Sequence, residues 1–218
     1  MTWKGPGRGA PGHPPPASQR PAPSSAGQQY EPPSYTPLTT PHRHFEFGGC
    51  GGNVTISQHW GQNGARTGSA VWDAATVLAH YIDSAPTSRW VEGSSSLELG
   101  AGLGLASIVA SRCGFARAMA TDGDLAVVPM ARQNMADNDA AVTVTHLEWA
   151  DDASLQALLA QNAPNLVMAS DVIYLGSTSA WSDLLNVLVA VCRSSRRAAS
   201  ADRVPVVRRE HAAVRIEH

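Results

Sequence analysis

Apolar and polar positions begin to alternate at Phe45. Phe45 and Phe47, then Val54 and Ile56, stand between small or polar residues on either side of a Gly48–Gly52 turn, the pattern of a β-hairpin. A glycine-rich loop follows (Gly61, Gly64, Gly68), and the period then lengthens. Val71, Ala74, Ala75, Leu78 and Ile82 fall on one face of a helix. Beyond them strands and helices alternate: a strand end at Leu97–Leu99, a helix over Leu105 to Arg112, and a strand over Ala116–Thr121 that ends at Asp122. A helix over Leu125 to Met135 comes next, which Pro129 should kink or confine to its first turn. A strand over Val142–Leu147, a short helix over Leu155 to Leu159, a strand over Leu166 to Ala169 and a helix over Ser182 to Cys192 complete the series. Such alternation predicts βαβ units and an α/β fold with a doubly wound parallel sheet.

After Cys192 the pattern fails. Val204, Val206 and Val207 make at most a short strand interrupted by Pro205, and the arginine-rich remainder offers no helix or strand. Four strands are fewer than a doubly wound sheet normally has, so the sheet reads as incomplete at its C-terminus. Three segments result: residues 1–41, a domain over 42–192, and an atypical basic tail over 193–218.

Composition sharpens the first and last of these. Residues 1–41 hold 11 of the 15 prolines and little that can pack, which predicts disorder because too little apolar surface is buried to offset chain entropy. Within them Pro32-Pro33-Ser34-Tyr35 matches the Pro-Pro-x-Tyr ligand type read by WW domains, a weak match in a stretch so rich in proline. Lys4, Arg8 and Arg20 precede the first acid, Glu31, but the Pro/Gly content opposes the amphipathic helix of a transit peptide. Residues 193–218 carry seven arginines against Asp202, Glu210 and Glu217. The net charge of −2 for the whole chain recommends neither nucleic acid nor membrane as a partner. The apolar run Leu184 to Cys192 is too short to span a bilayer, and no signal-peptide core follows Met1.

Cys50, Cys113 and Cys192 are odd in number, far apart and in no metal-like spacing. They predict no disulfide framework and a reducing compartment, hence a cytoplasmic protein with the nucleus as the alternative. The histidines are scattered and make no metal-ligand or hydrolytic pattern.

The chemistry concentrates in Glu98-Leu99-Gly100-Ala101-Gly102-Leu103-Gly104. A turn leaving a buried strand must reverse tightly and admit a ligand to its backbone, and glycine permits both. The helix that follows offers unpaired N–H groups. Asp122 lies 22 residues after Gly100, at the end of the next strand, where an acid accepts hydrogen bonds from ribose hydroxyls. The competing role is a helix cap, by Asp122 or by Asp124. The glycines fall as G-x-G-x-G rather than G-x-G-x-x-G, which weakens a nicotinamide dinucleotide.

These motifs, with two more, resemble the seven-β-strand methyltransferases and specifically the family-16 group of protein lysine methyltransferases, over about Phe45 to Trp181. Ser69-Ala70-Val71-Trp72-Asp73-Ala74-Ala75 is similar to that group's Val-Trp-Asp-Ala helix start, Leu97 to Gly104 to its methyl-donor loop, and Asp171-Val172-Ile173-Tyr174 to its Asp-x-x-Tyr signature. The resemblance implies a Rossmann-like fold and S-adenosyl-L-methionine as cofactor. It implies that Trp72 lines the cofactor site, that Gly100, Ala101 and Gly102 lie against the methionine moiety, and that Asp122 holds the ribose. Trp149 would pack near the adenine, Ser170 would contact the cofactor, and Asp171 and Tyr174 would face methyl transfer as the catalytic pair. It also implies a protein substrate of the chaperone or translation-factor class.

The same residues have plainer uses. Trp72 and Trp149 could be core, Asp171 a helix N-cap and Tyr174 a surface side chain. An indole face does suit an adenine, and a sulfonium is attracted to an aromatic ring. The family continues past this point with further strands and a helix that the tail does not display. A truncated, non-catalytic isoform is therefore an alternative, as is a small-molecule methyltransferase on the same fold.

Overall fold

The computed structural model describes residues 36–60, 66–85, 94–161, 163–173, 178–201, 206–210 and 213–217. Its organising element is β3 (Ser95–Leu99), buried at all five positions. β4 (Arg117–Asp122) and β6 (Leu166–Ala169) flank it in parallel, and β5 (Val142–His146) extends the sheet beyond β4. Because side chains alternate across a strand, this sheet feeds two cores. Leu97, Leu99 and Val167 pack with Leu155 and Leu159 of α5 (Asp152–Gln161) and Leu184, Val187 and Val191 of α6 (Thr178–Ala201). On the other face Ala118, Ala120 and Met168 pack with Ile108 of α3 (Leu105–Arg112), Leu78 and Ile82 of α2 (Asp73–Ser84), and Met135 of α4 (Val128–Asp137). The doubly wound sheet expected from the alternation is present.

The hairpin is also present: β1 (His42–Glu46) pairs antiparallel with β2 (Asn53–Ser57), and the Phe47 N–H closes the turn on Gly52 O at 2.9 Å. It docks by a device the sequence does not advertise. Asn134 of α4 and Asn138, the residue that caps its C-terminal end, act as side-chain peptides toward β2. Asn138 Oδ1 accepts the Thr55 N–H at 3.0 Å and its Nδ2 donates to Thr55 O at 2.7 Å. Asn134 does the same for Ser57, at 2.9 and 3.1 Å. Upstream, Thr36–Thr39 form one helical turn, α1, in a stretch that composition assigns to the tail. Gln58 Nε2 donates to Leu38 O and Thr40 O there, at 3.0 and 2.7 Å.

Three expectations need correction. Helix α6 continues to Ala201, so regular structure does not stop at Cys192. Beyond it, β7 (Val206–Glu210) and β8 (Ala213–Glu217) form an antiparallel hairpin, and β8 pairs antiparallel with β6. The strand order is β5-β4-β3-β6-β8-β7, so the sheet expected to be incomplete at its C-terminus has six strands and β8 covers the edge of β6. β7 begins at Val206, and the expected strand's Val204 and Pro205 lie outside the described residues. Lastly, Cys50 and Cys113 are joined in a disulfide, with Cα atoms 5.0 Å apart and a separation of 63 positions in sequence. Their proximity depends on the hairpin turn reaching the end of α3, which spacing alone cannot show. Pro129 sits in the first turn of α4, where its missing N–H goes unmissed. No helix among the described residues is long and apolar enough to cross a membrane.

Candidate functional site

The strand order reverses beside β3: the chain runs through β4 to β5 on one side and returns to β6 on the other. Such a reversal leaves a crevice beyond the carboxyl ends of the strands. A cavity of about 730 Å³ occupies it, within the range of small-molecule sites. Gly100, Asp122, Trp149, Ser170 and Asp171 reach it from the ends of β3, β4, β5 and β6, and Trp72 from the start of α2.

The glycine turn is shaped by backbone demands. Gly100, Gly102 and Gly104 all have positive φ, at 64°, 52° and 84°. A Cβ on Gly100 would lie 2.7 Å from Val172 Cγ1, and one on Gly102 would lie 3.2 Å from Gly68 O. The turn is pinned by the Ala101 N–H donating to Thr121 O at 2.9 Å and the Gly104 N–H donating to Ala101 O at 2.8 Å. Gly104 then supplies no side chain to cap α3. Glu98 replaces it from the strand: its Oε2 accepts the Ser107 N–H at 3.0 Å and the Ser107 hydroxyl at 2.5 Å. Burial pushes the Glu98 carboxyl up to about 7, against the pull of the two Ser107 hydrogen bonds.

Asp122 has two uses. Oδ2 accepts the Gly102 N–H at 2.9 Å and Oδ1 the Asp124 N–H at 2.9 Å, while the residue also lines the cavity. Each carboxylate oxygen keeps a lone pair for a ligand hydroxyl. Asp124, not Asp122, makes the turn into α4: its Oδ1 accepts the Ala126 N–H at 2.9 Å and its backbone oxygen that of Val127 at 2.9 Å. Trp72 is held by its indole N–H, which donates to Thr67 O at 2.8 Å, and by Trp60 packed edge-on at 5.3 Å between centroids. Trp149 is half-buried against the α5–α6 core. Asp171 has φ of 54°, a left-handed conformation that an aspartate tolerates better than most residues.

Of the residues singled out by sequence, the structure brings Trp72, Gly100, Asp122, Trp149, Ser170 and Asp171 to one cavity. Ala101 and Gly102 belong to the same turn but are not among the residues that line the cavity. Tyr174 falls outside the described residues. The sequence reading missed Arg66, Glu148 and Asp183, which also line the cavity. Arg66 pairs with Asp124 at 3.3 Å. No local signal marks these three, since each depends on which elements meet.

The family model described as lysine methyltransferase matches residues 52–207, most of the described chain. The chain belongs to this lysine methyltransferase family. Among its relatives, the protein N-lysine methyltransferase METTL21A of Xenopus tropicalis is 37% identical over 142 residues, which are 63% of this chain and 60% of that protein. METTL21A of Mus musculus is 32% identical over 147 residues, 65% of this chain and 62% of that protein. EEF1A lysine methyltransferase 3 of Mus musculus is 32% identical over 154 residues, 66% and 58% of the two chains. This lysine methyltransferase family member thus spans about 60% of the length of the METTL21A relatives it matches. Among solved structures, a Thermus thermophilus 16S rRNA N2 G1207 methyltransferase, in complex with AdoMet and guanosine, shares the fold. It superposes with a TM-score of 0.51 at 16% identity, over 82% of this chain and 51% of that one.

Proposed function

We propose that this chain is an S-adenosylmethionine-dependent protein lysine N-methyltransferase that acts on a non-histone protein. The observation that carries the reading is the convergence of Trp72, Asp122, Trp149 and Asp171 on one cavity in a chain of this family. The cavity suits the cofactor on its own terms: a glycine turn open to close approach, an acid with lone pairs to spare, and two indoles. When bound, the cofactor supplies a methyl group on a sulfonium sulfur.

The residues then divide the work. Trp149 offers a flat face to the adenine at small entropic cost, and Asp122 accepts the ribose hydroxyls. The Trp72 ring attracts the sulfonium charge. Asp171 lines the cavity, as does Asp183 of α6; in this reading the Asp171 carboxylate orients the lysine amine and accepts or relays the proton that the ammonium must lose before attack. Tyr174, by the resemblance, walls the lysine stem. The substrate class follows the relatives: one is named for EEF1A, which points to translation factors, with chaperones beside them. The cytoplasm is the setting that goes with such substrates.

Incubating the purified chain with labelled methyl donor and a cell extract tests this. Label in protein lysines is expected. Label in small molecules alone would favour a small-molecule methyltransferase, and no label with cofactor binding intact would favour a non-catalytic isoform.

A further inference from the structure

The flanks of Cys50 describe a seat built around one sulfur. A Cβ on Gly49 would run into the Asp83 backbone oxygen, and one on Gly51 would come 2.9 Å from the Phe47 Cβ. Only glycine on both sides lets this loop press against α2. Asp83 completes the seat, its carboxylate accepting the Gly49 N–H at 2.9 Å and the Gly51 N–H at 2.7 Å. From the other side Arg112, the last residue of α3, donates to Gly51 O, Asn53 O and Asn138 O, each at 2.7 Å. These contacts fix Cys50 independently of any covalent bond, and Cys113 follows directly after Arg112.

We propose that Cys50 and Cys113 form a reversible thiol–disulfide site, oxidised and reduced by a low-molecular-weight thiol couple of the glutathione type. Cys50, half-buried, is the sulfur that a small disulfide reaches; Cys113, 4% exposed, resolves the intermediate. The Cys50 thiolate attacks the small disulfide, forming a mixed disulfide and releasing one small thiolate, which takes up a proton. The Cys113 thiolate then attacks the Cys50 sulfur and releases the second small thiol. The protein dithiol loses two electrons and two protons, and the small disulfide gains both. The hydrogen-bonded seat persists in both states, so the fold does not depend on the bond.

Asp83 is the group that distinguishes this pair from an arbitrary one. Its carboxylate and the two sulfurs lie within 4.8 Å of one another. A like charge so close disfavours thiolates, the attacking species, and so slows exchange at neutral pH. The closed loop runs from residue 50 to residue 113 and contains Trp72 and the Gly100–Gly104 turn. Oxidation therefore restrains the unfolded chain over the cofactor-binding half of the domain. This holds whether or not the chain transfers methyl groups.

The full chain, equilibrated in glutathione buffers from fully reduced to fully oxidised, is quenched in acid, denatured and alkylated for mass spectrometry, with thermal unfolding followed in parallel. Cys50 and Cys113 are expected to pass together from alkylated to protected at one midpoint ratio, while Cys192 stays unlinked to either. Melting is expected about 5 °C or more higher in the oxidised form. Cys50→Ser and Cys113→Ser should each abolish that difference, while the wild-type titration needs no variant to fold. Full alkylation of both cysteines in glutathione disulfide alone would overturn the proposal. So would protection that survives excess dithiothreitol on the folded protein, or a reduced form that takes up one zinc ion and no longer oxidises.

Discussion

The Asp122 carboxylate accepts the Gly102 amide at 2.9 Å, so the acid that faces the cavity also holds the glycine turn in place. Its other oxygen accepts the Asp124 amide, so both oxygens already serve backbone donors. Asp122→Asn is therefore not conservative. Its amide nitrogen must face one of the two N–H groups, donor against donor. Denaturant unfolding is expected to show a loss of about 1–3 kcal/mol for Asn and a similar loss for Ala. An Asn variant as stable as wild type would contradict the buttressing role.

Gly100 is a backbone requirement rather than a gap. Gly100→Ala places a methyl 2.7 Å from Val172 Cγ1 at a φ of 64°, which should destabilise the chain by about 1–3 kcal/mol. Adding Val172→Ala should recover the steric part and leave the conformational part. Gly123→Ala is the control: its Cβ would meet nothing nearer than 3.6 Å and its φ is not positive, so its effect should stay within about 0.5 kcal/mol.

Glu98 sets a pH dependence whose sign can be worked out. Its carboxyl is pushed up by burial to about 7 in the fold from an ordinary 4.5, so between those values the folded chain holds a proton that the unfolded chain has lost. Stability from this group is thus greatest below about pH 4.5 and declines as pH rises to about 7, by roughly 3 kcal/mol in all. Glu98→Gln cannot ionise. Urea unfolding of both proteins across this window should show their difference moving in the variant's favour by about that amount. Parallel pH curves would contradict the assignment.

The asparagines at the C-terminal end of α4 make a separate claim about the hairpin. Asn134 and Asn138 each satisfy a backbone N–H and a backbone C=O of β2. Replacing either by alanine leaves two backbone groups without these partners, and an expected loss of about 2–3 kcal/mol follows. Asn134→Asp should fail as well, because a carboxylate cannot donate to Ser57 O.

Much of this was legible in the chain because it is local. Gly100, Asp122 and Asp171 stand at strand ends whose position follows from the alternation itself, and a topological switch point gathers strand ends. Trp72 and Trp149 needed the family's likeness, since a tryptophan's commoner fate is the core. Arg66, Glu148 and Asp183 had no local mark, because the cavity they line exists only after four strands and two helices meet. The tail misled for another reason. Arg208, Arg209 and Arg215 mask the strand pattern of Val206–Glu210 and Ala213–Glu217, and those strands form because β6 offers an unpaired edge. Cys50 and Cys113 were read as unpaired by count, whereas docking decided the matter.

Calorimetric titration of the full chain with S-adenosylhomocysteine tests the central claim most directly. One saturable site is expected, weakened about tenfold or more by Asp122→Ala and independently by Trp149→Ala, which leaves the glycine turn's hydrogen bonds alone. Absence of binding, or affinity unchanged by both substitutions, would contradict it.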